Sequence, residues 1–334
     1  MISRYLNADP FPWLTDGSDP VATYFAQIEF NEKCDTEKAY TELENSSLNN
    51  FFNNSLKQNI LGDRNNPDLV NRGSVWFFLL AVEYGFDSRT RFINDTVRFI
   101  IDRLFTEHGG FSLSITPGIP LACRTGDITR AMLRAGIDSD EILLSLDWIT
   151  AHQRHDGSWL HCPFNGFCDV MKMFLIKKPG SGIKRESDTT IPGCPVATLS
   201  CIRALAASGN SDYSASIEAG IKFLLQNQIL TLTSRVLYCG LNIQPQKNGY
   251  PVMTQFDSVT ALIEIFKTSL WNDPACAVPF NNIMKKQTAK GTWKIETVSR
   301  GMINADKGEN RLFTLNVLRM LRLLTEKESQ FKKA

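Results

Sequence analysis

WITAHQRHDGSW (Trp148–Trp159) ends a helix-period run with a glutamine, a tight glycine turn and a tryptophan. IMKKQTAKGTW (Ile283–Trp293) repeats that grammar, so Gln153/Gly157/Trp159 match Gln287/Gly291/Trp293 in spacing. Glutamine at a helix end can bond an orphan carbonyl there or a group of the next unit. Glycine permits the sharp reversal, and tryptophan is a large, flat anchor for a neighbouring element. One copy reads as a helix C-cap. Two copies with the same helical lead-in read as a structural repeat.

Working outward, apolar residues at i, i+3, i+4 and i+7 mark helices along most of the chain. VWFFLLAVEYGF (from Val75), DITRAMLRAGI (from Asp127), VATLSCIRALAASG (from Val196), SVTALIEIFKTS (from Ser258) and RLFTLNVLRMLRLL (from Arg311) are apolar nearly all round. Between them lie one-faced helices: RFINDTVRFIIDRLF, EILLSLDWITAHQ, YSASIEAGIKFLLQNQ and PFNNIMKKQ. Gly109-Gly110-Phe111 supplies a third Gly-x-aromatic turn, and no stretch of any length has the alternating pattern of a strand. A helix apolar all round is buried on two sides, and a one-faced helix lies outside. The pattern therefore predicts an all-α chain of two-helix units arranged as one ring inside another.

Composition narrows the partners. Lys plus Arg number 36 against 35 Asp plus Glu, with no sustained basic run, which argues against nucleic acid. No apolar run reaches membrane-spanning length, and the opening MISRYLNADPFPW has no signal-like apolar region, so the expectation is a cytoplasmic chain without a transmembrane segment. Eight cysteines in 334 residues are no disulfide framework, which leaves free thiols or metal ligands.

The two Gln-x-x-x-Gly-x-Trp copies, with CRTGDITRAMLRAGIDSDE (from Cys123) and GCPVATLSCIRAL (from Gly193), resemble the terpenoid cyclase and protein prenyltransferase β-subunit superfamily, whose repeats carry a "QW" motif. The likeness looks closest to its small bacterial squalene-cyclase-like or prenyltransferase-like members. It runs from about residue 70 to 325, with a weaker opening at PWLTDGSDPVATYFAQIEF. It implies one α/α-toroid domain over residues 1–334, with about six inner and five to six outer helices around a central cavity. Such a cavity is expected to be apolar and to take a small hydrophobic, isoprenoid-type molecule. Trp76, Phe77, Phe78, Phe256 and Phe313 fall on expected inner helices and are candidates to line it, where aromatic faces stabilise carbocations.

The resemblance also directs attention to particular residues. The Asp-x-Asp-Asp acid of the alkene-protonating cyclases has no counterpart: Pro195–Ala197 stands where it would fall, and ESDTT (Glu186–Thr190) reads as a solvated loop. In the prenyltransferase branch an Asp, a Cys and a His hold zinc at the starts of successive inner helices. Cys123 falls at the cysteine, Cys194 falls near the histidine, and Leu121 replaces the aspartate. Cys162 lies in the turn between, giving a thiolate-rich candidate zinc site of Cys123, Cys162 and Cys194, with His161, Asp127 or Cys168 as fourth ligand or an open position. Such a zinc activates a nucleophile or, with four protein ligands, is structural. Asp127 and Asp257 are the catalytic carboxylate candidates, although Asp257 also reads as the N-cap of its helix. Cys201 reads as a core thiol, and residues 163–192 as a lid or a disordered insertion. No substitute for a prenyltransferase α subunit is evident. The competing expectation is a non-catalytic toroid that carries an apolar ligand, with structural zinc or none.

Overall fold

The computed structural model describes residues 2–63, 73–112, 115, 118–160, 191–237, 242–250, 256–298 and 308–332. After a 3₁₀ turn at Ile2–Tyr5 come α1 (Phe11–Leu14), α2 (Pro20–Phe30), α3 (Thr36–Glu44), α4 (Ser47–Asn53), α5 (Ser74–Glu83), α6 (Arg91–Leu104) and α7 (Ala122–Arg134). They are followed by α8 (Asp140–Ala151), α9 (Pro195–Ala207), α10 (Ser214–Gln226), α11 (Ser258–Phe266), α12 (Ala277–Lys285) and α13 (Arg311–Phe331). Strand among the described residues is confined to two-residue pairings in connections, such as Leu56–Lys57 with Ile60–Leu61.

The helices form the expected double ring. α5 packs on α7, α7 on α9, α9 on α11, α11 on α13 and α13 on α2. Tyr24 of α2 meets Gly85 at the end of α5 and closes the circle. Outside, α3, α6, α8, α10 and α12 each back the inner helix that precedes them, and the Ile2–Tyr5 turn backs α13. Burial follows the sequence pattern. In α5 every residue from Ser74 to Val82 is buried, whereas α6 buries one face (Phe92, Ile93, Val97, Ile100, Leu104) and leaves Arg91 and Arg98 in solvent. Buried apolar side chains from both rings form one continuous core.

The repeated turn is the joint between units. The Trp159 indole Nε1–H donates to the Ile149 carbonyl (2.7 Å), and Trp293 does the same to Ile283 (2.8 Å). Both rings are fully buried. Gln153 Nε2 donates to Gly157 O of its own turn (3.0 Å) and to Ser216 O of α10 (2.8 Å), so it uses both roles open to it. In the second copy, Gln287 Oε1 accepts from the Asn7 N–H (3.1 Å), which ties the last outer helix to the N-terminal segment. The glycines are required by geometry. Gly157 has φ +82° and sits against the Ala219 backbone of the next outer helix, and Gly291 has φ +77° and sits against Ala8.

A second regularity lies in the inner helices. The backbone N–H groups of Phe111, Trp159 and Trp293 donate to the hydroxyls of Thr125, Thr198 and Thr314, at 2.9, 3.1 and 3.1 Å. Each threonine is the fourth residue of the next inner helix. The three aromatic carbonyls in turn accept from the N–H of that helix's N-cap: Leu121, Cys194 and Asn310. Three turns thus meet three helix starts in the same way, and Phe111 replaces tryptophan in one.

Inner helices α7 and α9 approach most closely at Gly126, where a Cβ would stand 2.6 Å from the Ser200 carbonyl carbon. The two glycine classes give a test. Gly157→Ala should cost roughly 3 kcal/mol, the sum of left-handed strain and a backbone clash. Gly209→Ala, also at positive φ (+66°) but with nothing within 4 Å, should cost only about 1 kcal/mol. Denaturant midpoints of the two variants should separate clearly; equal losses would remove the turn from the role of joint.

Candidate functional site

All six inner helices carry side chains to one cavity of about 410 Å³. Glu29, Glu83, Arg134, Arg203, Lys267 and Arg322 all line it, and they stand in the later part of α2, α5, α7, α9 and α13 or, for Lys267, just past α11. The inner helices therefore run parallel, and the cavity lies at their C-terminal mouth. Helix C-termini carry partial negative charge, which favours cations there.

The lining is charged. Arg130, Arg134, Arg203, Lys267, Arg319 and Arg322 face Glu29, Glu83 and Glu264. Glu83 Oε2 accepts from Arg134 Nη1 (2.7 Å) and from Arg130 Nη1 (3.4 Å). Burial alone would raise its pKa, but Arg134 and Arg130 outweigh burial and hold it at about 2. Burial, with Arg203 and Arg134 close by, pushes Arg130 down to about 9, still cationic at neutral pH. Arg319 grips Glu29 with two bonds (2.7 and 2.5 Å) and so pins α13 to α2. Lys267 Nζ meets Glu264 Oε2 at 2.8 Å.

Helical spacing places the expected site residues on the same axial faces, nearer the N-terminal mouth. Cys123, Asp127, Arg130 and Arg134 form one stripe of α7. Trp76 stands two turns before Glu83 on α5, and Phe313 one turn before Asn316 on α13. Asp127 is 7 % exposed, burial pushes its carboxyl up, and its Oδ2 has no hydrogen-bond partner. Asp257 differs. Its Oδ1 accepts from Thr260 N–H (2.9 Å) and its Oδ2 from the Thr260 hydroxyl (2.8 Å), so it is the N-cap of α11. Burial also pushes Asp257 up.

The aromatic candidates Trp76, Phe77, Phe78, Phe256 and Phe313 are all buried, and none lines the charged cavity. An apolar cavity is the sequence expectation; the cavity at the C-terminal mouth has a charged lining, because each inner helix carries a charge near that end. Trp76, Phe77 and Phe78 are consecutive, so successive side chains point about 100° apart and cannot all face the axis. Phe77 packs edge-on against Trp76, with centroids 4.9 Å apart.

Cys123 stands in the first turn of α7, and Cys194 caps α9. The two thiols thus open adjacent inner helices, as expected. Cys201 is buried, and its thiol donates to Ala122 O at 3.5 Å. Burial, then the proximity of Cys123, Asp127 and Cys194, pushes the Cys201 thiol well up. The other expected ligands, Cys162, His161 and Cys168, lie outside the described residues, as do ESDTT and nearly all of the 163–192 insertion. Among the described residues no group of three His, Cys, Asp or Glu is arranged to hold a metal. The same residues contain no helix long and apolar enough to cross a membrane.

Comparison with known proteins gives no match to any family model and none to the curated proteins. Solved structures do resemble the chain. A protein from Actinoplanes is 12 % identical, with a TM-score of 0.47, over 92 % of this chain and 90 % of that one. The type II terpene cyclase MstE from Scytonema, without ligand, is 13 % identical with a TM-score of 0.43, over 93 % of this chain and 87 % of that one. PssZ from Listeria monocytogenes is 12 % identical with a TM-score of 0.28, over 83 % of this chain and 94 % of that one.

Glu83 tests the electrostatics of the mouth. Glu83→Gln leaves Arg130 and Arg134 without their shared counter-charge and should cost about 3–5 kcal/mol at neutral pH. The carboxyl's pKa is about 2 when folded, against an ordinary 4.5. Its stabilisation is therefore present above 4.5 and is lost as pH falls towards 2. The gap in urea midpoint between wild type and Glu83→Gln should close over that acid range. A gap independent of pH would mean the loss is one of packing.

Proposed function

We propose that the protein is a terpenoid cyclase- or prenyltransferase-like enzyme that holds a hydrophobic, isoprenoid-type molecule on the axis of its inner ring. The observation that carries this reading is Asp127: a buried carboxyl, pushed up by burial, with one oxygen unpartnered and facing the axis by helical position. A carboxyl that burial pushes towards its protonated form can serve as a proton donor. Asp127 would pass its proton to a double bond or an oxygen of the bound molecule. Trp76 and Phe313, on the same axial faces, would offer ring faces to the positive charge that forms. Asp257 serves the fold as a cap and is not the acid.

A zinc at the opposite, N-terminal mouth belongs to the same proposal. It is favoured by Cys123 and Cys194 at the starts of neighbouring inner helices. These two would supply half of a tetrahedral set, with Cys162 and His161 as the remaining ligands. When bound, zinc lowers the pKa of a coordinated thiol or water.

Two measurements test the proposal. Solvent extraction of purified protein, followed by mass spectrometry, should release an isoprenoid-type lipid. Asp127→Asn should retain that lipid while slowing its conversion by roughly 10²–10⁴-fold. A lipid bound but unconverted by wild type would make the protein a carrier, and no apolar molecule at all would overturn the reading. Metal analysis should find about one zinc per chain, lost in Cys123→Ala.

A further inference from the structure

We propose that the C-terminal mouth of the inner ring binds an oxyanion, a phosphate or carboxylate group, with Arg203 as its main ligand and Arg130 and Arg134 beside it. The inference does not depend on what fills the rest of the axis.

The charge balance of the mouth comes first. Six cations face three carboxylates in the lining. All three carboxylates are already engaged: Glu83 with Arg130 and Arg134, Glu29 with Arg319, and Glu264 with Lys267. Of the two remaining cations, Arg322 donates to the Glu29 carbonyl and faces Glu326, and Arg203 is left over. It is 7 % exposed, it lines the cavity, and its Nε–H has no partner. It forms no hydrogen bond and no ion pair among the described residues. Asp127, Glu83 and Asp257 feel its charge only at longer range.

A buried guanidinium without a partner is costly, and its neighbours here are two further arginines. The helix dipoles do not cancel it. Their effect is confined to the last turn, and Arg203 lies a full turn before the end of α9, with its side chain leaning back towards the N-terminus. An arginine presents a planar fork that matches the edge of a carboxylate or phosphate. A cavity of about 410 Å³ has room for such a group and for more of the molecule that bears it. The alternative is that Arg203 only balances the Asp127 carboxyl on the neighbouring helix α7.

Thermal unfolding and calorimetry with three probes, inorganic phosphate, inorganic diphosphate and succinate, test the site on the full chain. Wild type should bind at least one of them and gain stability with its concentration. The preferred probe tells a phosphate head from a carboxylate. Arg203→Gln should weaken that binding by roughly ten- to a hundred-fold. Without any anion the variant should unfold no earlier than wild type, because a lone buried cation among cations has been removed. Arg203→Lys should keep part of the affinity. A wild type indifferent to all three probes would overturn the proposal. So would an Arg203→Gln protein that binds as well as wild type, or one destabilised without anion, which would make Arg203 the counter-ion of Asp127. None of these outcomes touches the lipid extraction, so the two readings fail separately.

Discussion

A buried backbone N–H needs a partner, and in this ring three of them are placed where the chain turns from an outer helix into the next inner one. Phe111, Trp159 and Trp293 each give that N–H to a threonine hydroxyl on the following helix. An orphaned N–H at such a site would cost about 1–3 kcal/mol. The bond therefore sets more than strength: it sets how far each unit is rotated from the one before. The indole of each tryptophan reaches back to its own outer helix. One residue thus reads the position of two helices at once. Repeated around the circle, a fixed joint closes a ring, and the contact of Gly291 with Ala8 seals the outer layer.

Parallel inner helices follow from that joint, and the electrostatics follow from the parallel helices. Each unit climbs inside and descends outside, so every inner C-terminus arrives at the same mouth. Converging carbonyl ends favour cations in the last turn, and Arg134 and Lys267 stand there. The carboxylates then appear as bridges between helices. Glu83 joins α5 to α7, and Glu29 joins α2 to α13. The mouth is built from the ends of the helices, and charge is tolerated because the axis is open there.

How much of this was legible in the sequence depends on the physical range of each signal. The double ring was legible, because period-3.6 burial differs between helices covered on one side and on two. The Gln-x-x-x-Gly-x-Trp device was legible because it is local. The threonine clamp was missed, yet CRT, PVAT and RLFT carry threonine at the fourth helical position each time. The charged mouth was missed for a related reason. Each inner helix reads as apolar, and one charge near its end looks like the edge of a helix. Arg203 in CIRALAASG and Glu264 in IEIFK gain meaning only when six such ends are brought together. Asp257 reads from the sequence both as a cap and as a catalytic candidate, and its two bonds to Thr260 make it the cap.

The contrast between Asp257 and Asp127 carries the functional argument further than the shape of the ring does. Both are buried, and burial pushes both up. Asp257 has each oxygen hydrogen-bonded, as expected of a polar group kept for structure. Asp127 leaves an oxygen unused, Arg203 leaves its Nε–H unused, and Trp76 leaves its indole N–H unused. All three stand on inner helices. Those three unused groups are what the proposed ligand on the axis would have to satisfy.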